Sequence, residues 1–193
     1  MDSAPEIYPV TPQRWDDLQT LFGPNGACAG CWCMYWRVRR PQYEQHSGEQ
    51  NRQALQQLIQ SGAVHALLAY LPGADGRPAP AGWVSLGPRA DFPTLNASRN
   101  LAPIDDLPVW SVVCFYTGRA YRRRGLNLAL LTAAVDYARD HGAQILEGYP
   151  VQPKIAKPSP QQLFTGLFDT FLQAGFEEAA RRKPERPIMR KRL

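Results

Sequence analysis

The sequence lacks the long apolar segments that membrane proteins need. No stretch of its 193 residues approaches the roughly 20 consecutive apolar residues that span a bilayer. The first ten residues, MDSAPEIYPV, contain neither a basic region nor an apolar core, so they do not have the pattern of a secretory signal peptide. We therefore expect a cytoplasmic protein without a membrane partner.

Cysteine and histidine, the usual ligands of structural metals, are both scarce. The chain has four cysteines and three histidines. Cys28, Cys31 and Cys33 cluster in a C-x-x-C-x-C pattern, whereas Cys114 lies on a predicted buried strand. A structural zinc site normally has four ligands, often in two separated pairs, and the histidines show no ligand spacing. We expect free thiols packed beside aromatic residues and no metal, with a zinc or redox site as the alternative.

The remaining composition is that of an ordinary globular protein. Hydrophobic residues make up 44% and charged residues 20% of the chain. We expect residues 1–193 to form one domain, with residues 1–6 as a flexible N-terminus. The net charge of +5 favours anionic partners. A nucleic-acid-binding module is one alternative, but the basic C-terminal tail lacks the aromatic residues that stack on bases, and we expect no nucleic acid partner.

Hydrophobic periodicity and turn residues divide the chain into alternating strands and helices. Helices are predicted from the cap at Thr11 to the stop at Gly23, over 48–61, from 126 to the stop at Gly142, and over 161–174, the last with Leu163, Leu167, Phe168, Phe171 and Leu172 facing inward. Strands are predicted over 7–10, 64–70, 81–86, 109–117, 143–149, 176–181 and 187–192.

Two kinds of connection predict how these strands pair. The segments 64–70 and 81–86 form an antiparallel hairpin around Asp75-Gly76. A strand, a helix and a second strand over 109–149 form a βαβ unit, which requires parallel pairing and a right-handed crossover. The predicted fold is therefore α/β, with a mixed, largely antiparallel central sheet, one parallel pair and helices on both faces.

Three consecutive arginines, Arg122 to Arg124, precede Gly125 at the start of the helix with the clearest apolar period. Its predicted apolar face comprises Leu126, Ala129, Leu130, Ala133, Ala134, Tyr137 and Ala138. A helix N-terminus leaves about four backbone N–H groups unpaired and carries partial positive charge. Clustered arginines would repel one another there unless an anion binds, and glycine allows a close approach to the backbone. The pattern favours a ligand with two or more phosphates. A solvated basic turn is the alternative.

The segment from Arg122 to Asn127 resembles the R/Q-x-x-G-x-G/A loop of the GNAT family of N-acetyltransferases. Arg122 takes the first position and Gly125 the glycine, while Asn127 stands where the family has Gly or Ala. GWVSLG and FLQAGFEE are similar to the third strand and to the "YxxxGF" helix end of that fold. CWCMYWR, WSVVCF, EGYPV and RPIMR are similar to a bacterial subgroup whose substrates are undefined.

The resemblance implies that acetyl-CoA is a co-substrate and binds in a gap between the strands 109–117 and 143–149. Its pantetheine arm would pair with the backbone of Phe115, Tyr116 and Thr117. Its pyrophosphate would lie on the amides of residues 124–128, with charge from the arginines; this cofactor site comprises Arg122, Arg123, Arg124, Gly125, Leu126, Asn127 and Leu128.

The resemblance also implies direct attack of an amine on the thioester, with nearby groups that exchange protons. Relatives often place a tyrosine acid at the position of Phe171, which cannot donate a proton. The candidates to replace it are Tyr149, Glu147 and Ser111, of which the first two share a face of their strand. Each also has a purely structural alternative. Tyr149 could be a core aromatic residue with a hydrogen-bonded hydroxyl, Glu147 could form an ion pair with an arginine, and Ser111 could be a small core residue.

The resemblance implies that the acceptor is an amine of a small molecule or a peptide, and aromatic side chains near its cleft are expected to bind it. The candidates are Trp32, Tyr35, Trp36 and Trp110. A homodimer is a further expectation from the resemblance. A protein of the same fold that binds acyl-CoA without catalysis is the closest alternative function.

Overall fold

The computed structural model of the chain describes residues 4–153 and 163–193. Its strands are β1 (Glu6–Pro9), β2 (His65–Pro72), β3 (Pro78–Pro88), β4 (Trp110–Thr117), β5 (Ile145–Gly148), β6 (Glu177–Lys183) and β7 (Arg186–Arg192). Its helices are α1 (Trp15–Phe22), α2 (Arg40–Gln45), α3 (Gly48–Gln60), α4 (Pro93–Ala97), α5 (Leu126–Asp140) and α6 (Phe168–Gln173). None of the helices in these two ranges is long and apolar enough to cross a membrane.

The seven strands form one sheet in the order β1-β2-β3-β4-β5-β7-β6. The central neighbours β4 and β5 run parallel, and the other neighbouring pairs are antiparallel. The parallel pairing is short, because Trp110–Val112 pairs with Leu146–Gly148 and the two strands then separate. The predicted mixed sheet with one parallel pair is confirmed.

Helices cover both faces of the sheet, as predicted. On one face, α5 and α6 pack through residues such as Leu130 and Phe171 on apolar side chains of β2 to β4 and β7. On the other face, α1 and α3 pack through Leu18 and Leu55 against Trp83 and its neighbours. Each face of the sheet therefore has its own apolar core.

The helix α5 follows its predicted apolar face and extends it. Leu126, Leu130, Ala134 and Ala138 are buried at the predicted spacing. Leu131 and Val135 are buried as well: α5 packs on β2, β3 and β4 and also contacts α6, so a wider stripe of its surface is covered. The strand β4 is likewise found where its apolar run predicts it.

The sequence predicts the start of α3 correctly and places the start of α1 too early. Ser47 caps α3 in a reciprocal arrangement, in which its Oγ accepts from the Gln50 amide at 3.2 Å and the Gln50 side chain accepts from the Ser47 amide at 2.7 Å. Thr11 makes no side-chain cap. Residues Pro12–Arg14 instead form a 3₁₀ turn, so α1 begins four residues after the predicted cap.

The helix predicted over 161–174 was placed wrongly at its start. Its first two residues lie outside the described residues, and α6 covers Phe168–Gln173 alone. Leu167 is extended, because the chain here pairs with Val151: the Phe168 amide donates to the Val151 carbonyl at 3.0 Å. Leu172, predicted to face inward, is 47% exposed, while Phe171 is fully buried.

The flexible N-terminus predicted over 1–6 also needs correction at its end. Glu6 is the first residue of β1, where it lies opposite Tyr70 of β2. Residues 1–3 lie outside the described residues. The first strand of the sheet therefore begins at residue 6, inside the predicted flexible segment.

The close contact between Gly148 and Phe171 generates a stability prediction. A Cβ at Gly148 would lie 2.1 Å from Cε1 of the buried Phe171 ring. We expect Gly148→Ala to lower the free energy of unfolding by roughly 1–3 kcal/mol through overpacking, measured by urea denaturation. Adding Phe171→Leu supplies space, so the double variant should lose less than the sum of the single losses. Strict additivity would contradict this packing.

Candidate functional site

A groove of about 1090 Å³ opens where β4 and β5 separate. Four parts of the chain line it: the end of β4, the turn into α5, the segment that follows α1, and the segment that leads into and through α6. Its lining includes Cys28, Cys31, Cys33, Tyr35, Trp36, Tyr43, Cys114, Phe115, Tyr116, Thr117, Arg122, Arg123, Gly125, Leu126, Asn127, Leu128 and Phe164.

One end of the groove has the features of an anion site. Gly125 precedes α5 with φ of +69°, and a Cβ built on it would meet nothing within 4 Å. No described residue accepts a hydrogen bond from the amides of Leu126 and Asn127. Arg122 and Arg123 line the same end and are exposed. Free amides, an open backbone and two guanidinium groups therefore meet at one place.

Two details at this end differ from the sequence prediction. Arg124 does not line the groove; its guanidinium lies 5.8 Å from the centre of the Tyr121 ring. Asn127, which departs from the family pattern, accepts a hydrogen bond at Oδ1 from Thr117 Oγ1 at 2.9 Å. The asparagine therefore ties the end of β4 to the first turn of α5.

The gap between the strands is partly filled by the chain itself. The Phe115 amide donates to the Phe164 carbonyl at 2.6 Å, and the Val151 amide donates to the Gly166 carbonyl at 2.9 Å. The segment 164–168 thus lies between β4 and the chain that follows β5. Phe115 was predicted to bind pantetheine through its backbone, but its N–H is already used. The groove remains open beside Tyr116 and Thr117.

The three predicted catalytic residues lie together in one buried network. The Tyr149 hydroxyl donates to Glu147 Oε1 at 2.6 Å and lies 2.8 Å from Ser111 Oγ. Arg89 donates to Glu147 at 2.8 Å, and Arg190 donates to its other oxygen at 2.7 Å. Burial first, and then the charge of Glu147, raises the pKa of Tyr149 well above its ordinary value. The carboxylate is 1% exposed and has both of its oxygens occupied.

This network does not border the groove. Glu147, Arg89 and Arg190 line a separate cavity of about 290 Å³ near the first residues of β4, whereas the groove lies at the last residues of that strand. Tyr149 and Ser111 are fully buried. The catalytic roles of Tyr149, Glu147 and Ser111 stay predictions, and no contact between these residues and the groove supports them.

The four aromatic candidates for acceptor binding divide into two pairs. Tyr35 and Trp36 line the groove and pack edge to face, with ring centres 4.8 Å apart. Trp32 is 4% exposed and packs in the core of the α1 face. Trp110 lies at the start of β4, where it packs beside the ring of His65. The prediction that Trp32 and Trp110 bind the acceptor is therefore corrected, because neither side chain lines the groove.

The groove also contains residues that the sequence did not single out. Tyr43 of α2 packs edge to face on Tyr35, with ring centres 5.4 Å apart, and Phe164 completes this aromatic wall. Cys28, Cys31, Cys33 and Cys114 are free thiols that line it together. The sequence analysis predicted free thiols beside aromatic residues but did not place all four on one surface. Within the described ranges, no group of three or more His, Cys, Asp or Glu residues is arranged to hold a metal ion.

Comparisons with known proteins agree with this architecture. The profile of the acetyltransferase (GNAT) family matches residues 30–153. No curated protein is similar enough in sequence to match.

Several solved structures match almost the whole chain. PaiA N-acetyltransferase from Thermoplasma acidophilum, in complex with coenzyme A, is 15% identical, with a TM-score of 0.52 over 99% of this chain and 100% of that chain. YncA from Salmonella typhimurium, with its cofactor acetyl-CoA, is 16% identical, with a TM-score of 0.54 over 99% and 95%. Ribosomal-protein-S5-alanine acetyltransferase from Vibrio fischeri is 10% identical, with a TM-score of 0.55 over 100% and 94%. At these identities the likeness shows the fold.

The buried ion-pair network generates a prediction that separates it from surface charges. Glu147→Gln leaves Arg89 and Arg190 without their shared counter-charge, so we expect a loss of about 3–5 kcal/mol in the free energy of unfolding. The matched control is Glu178→Gln, which breaks a partly exposed pair with Arg181 and should cost less than about 1 kcal/mol. Equal losses in thermal or urea denaturation would contradict the buried network.

Proposed function

Because the chain belongs to the GNAT family of acetyltransferases, we propose that it transfers the acetyl group of acetyl-CoA to an amine of a small molecule or a peptide. The observation that carries this proposal is the anion site at Gly125, which lies at the mouth of the groove between the two separating parallel strands. An acyl-CoA has the matching shape, since a diphosphate is joined to a narrow arm that ends in a thioester.

The residues present fit such a co-substrate. The amides of Leu126 and Asn127 would receive the diphosphate, and Arg122 and Arg123 would balance its charge. The arm would follow Tyr116 and Thr117, which line the groove beyond the amide that Phe164 already occupies. Two of the structural relatives, PaiA and YncA, contain coenzyme A or acetyl-CoA, which supports the same ligand here.

The far end of the groove supports an amine as the acceptor. Tyr35, Trp36 and Tyr43 present aromatic rings there, and aromatic faces attract cationic or polar amines. The Trp36 indole N–H is buried and has no hydrogen-bond partner among the described residues. It can therefore donate a hydrogen bond to an oxygen or nitrogen atom of the bound amine substrate. An amine must lose its proton before it attacks, and an α-amine does so more readily than a lysine-like amine, with pKa values near ~7.8 and ~10.4.

A protein that binds acyl-CoA without turnover is the second candidate. One observation favours this second candidate. A backbone amide on the separating strand could stabilise the oxyanion that forms during acetyl transfer, but the Phe115 amide already donates its hydrogen bond to the Phe164 carbonyl. Incubation with acetyl-CoA and a panel of amines, with detection of the released CoA thiol, separates the two candidates. The proposed enzyme releases CoA thiol over many turnovers when a suitable amine is supplied in excess, whereas the binding protein shows no turnover.

The anion site generates a binding prediction with a control inside the same helix. Gly125→Val would place a branched side chain where the diphosphate approaches the backbone. We therefore expect acetyl-CoA affinity to fall by at least about tenfold, or roughly 1.4 kcal/mol. The measurement is isothermal titration calorimetry at fixed salt.

The control is Gly142→Val at the opposite end of α5. Gly142 also has a left-handed φ, +80°, and open space at its Cβ position, so both substitutions carry similar backbone strain. The control should lose stability to a similar degree and keep its affinity. Unchanged affinity in Gly125→Val, or an equal loss in Gly142→Val, would count against the anion site.

A further inference from the structure

The groove has an unusual set of ionisable side chains for an enzyme that must move protons. None of the described residues that line it is an aspartate, glutamate or histidine. Apart from two arginines, its ionisable groups are the phenols of tyrosines and the four thiols of Cys28, Cys31, Cys33 and Cys114. Among the described residues, a side chain that reacts or accepts a proton inside this groove therefore belongs to one of these two types.

One thiol differs from its neighbours in acidity. Burial and the nearby sulfur of Cys33 raise the pKa of Cys31 to about 11, and burial raises the pKa of Tyr43 to about 12. Hydrogen bonding to Cys33, together with burial, raises the pKa of Cys114 well above its ordinary value. Burial also acts to raise the pKa of Cys33, but hydrogen bonding from Cys114 and Trp83 and the charge of Arg37 outweigh it and lower the pKa.

The geometry around the Cys33 sulfur explains this difference. The Trp83 indole donates to Cys33 Sγ at 3.1 Å, and the tryptophan is fully buried on β3. Cys33 itself is 6% exposed, yet it lines the groove next to Cys114 of β4. An indole N–H can only donate, so it favours the sulfur in the form that accepts most strongly, which is the thiolate.

A buried cation whose charge acts on this sulfur points the same way. Nε and Nη2 of Arg37 are buried and have no hydrogen-bond partner among the described residues. The guanidinium lies 4.8 Å from the centre of the Phe92 ring, and the charges that act to hold its proton are those of Cys33 and Asp91. A buried cation without paired anions is costly. A thiolate at Cys33 offsets that cost.

We propose that Cys33 is a nucleophile that accepts the acetyl group from acetyl-CoA before it passes to the amine. This inference rests on the proposed function and gives it a covalent route in place of direct attack. In the first step the Cys33 thiolate attacks the thioester carbonyl carbon, its new C–S bond forms, and the bond to the CoA sulfur breaks. The CoA thiolate leaves and takes a proton from solvent.

In the second step a neutral amine attacks the S-acetyl group on Cys33. The new C–N bond forms, the bond to Cys33 breaks and restores the thiolate, and the surplus proton of the nitrogen passes to solvent. Both acyl donors are alkyl thioesters, so the first step exchanges one for another at little cost. The proposed thiolate also needs no carboxylate or imidazole base to activate it. The groove's composition therefore suits this route.

The first experiment uses the wild-type protein and acetyl-CoA without an acceptor. The mixture is quenched in acid within milliseconds to seconds, and the intact mass and the fragmented peptides are measured. We expect the mass of one acetyl group on Cys33, removable by neutral hydroxylamine, as thioesters are. In Cys33→Ala the adduct should be lost, whereas Cys28→Ser, a thiol change in the same groove, should retain it.

The outcomes distinguish this inference from the proposed function. If calorimetry shows acetyl-CoA binding and no acetyl group is found on Cys33, the covalent route is overturned and the acetyltransferase proposal stands. If acetyl-CoA does not bind, both are overturned. An adduct that maps to another residue, or that persists in Cys33→Ala, also overturns the role of Cys33. Mapping in the wild type makes the result independent of whether the variants fold.

The second experiment measures the thiol in the free protein, without any substrate. The rate at which iodoacetamide alkylates Cys33 is followed against pH by peptide mass spectrometry. The charged or ionisable groups around the sulfur are Cys114 on β4, Tyr43 on α2, and Cys28, Cys31 and Arg37 on its own segment. We expect the alkylation midpoint of Cys33 to lie below that of Cys31.

Trp83→Phe removes the indole donor and keeps an aromatic ring in the core. The alkylation midpoint of Cys33 should then move to higher pH, while that of Cys31 moves less. A purely structural role for Trp83 would change melting temperature without this shift. A Cys33 midpoint equal to or above that of Cys31 in the wild type would overturn the thiolate, and with it the proposed nucleophile.

Discussion

The structure depends on the short parallel pairing of β4 and β5. These strands share a ladder over three residues and then part, which leaves backbone N–H and C=O groups unpaired in the middle of a seven-stranded sheet. Such groups must find partners. The segment 164–168 supplies some of these partners, because its carbonyl groups accept hydrogen bonds from the amides of Phe115 and Val151. The remainder of the gap stays open as the groove, so the ligand site follows directly from where the ladder stops.

Charge is arranged in opposite ways at the two ends of β4. Near its first residues, Glu147 is held between Arg89 and Arg190, and every charge has a partner. That arrangement fixes β5 against β7 and the loop that follows β3. Near its last residues, the groove is lined by Trp36, whose Nε1 is buried without a partner among the described residues, and two nitrogens of the adjacent Arg37 are in the same condition. Saturated networks stabilise, whereas unsaturated buried donors indicate sites that await another group.

Predictions from local patterns were the accurate ones. The bounds of β4 and α5 follow from an apolar run and a helical period that adjacent residues specify by themselves. The start of α6 was wrong because pairing between Phe168 and Val151 overrides the apolar spacing that suggested an earlier start. The shared face of Glu147 and Tyr149 followed from strand alternation. Their distance from the groove did not, since it depends on where the neighbouring strand separates.

The sequence by itself determined the arginine and glycine turn and the amphipathic helix after β4, because neighbouring residues set both. It also determined the parallel pair, because a strand, a helix and a strand in succession require parallel pairing. The tertiary structure alone decided which aromatic residues face the groove, and it alone brought Cys33, Cys114 and Trp83 together from three separate segments. Side chains that meet across such long stretches of chain leave no periodic signal, since their approach is fixed by how whole layers pack.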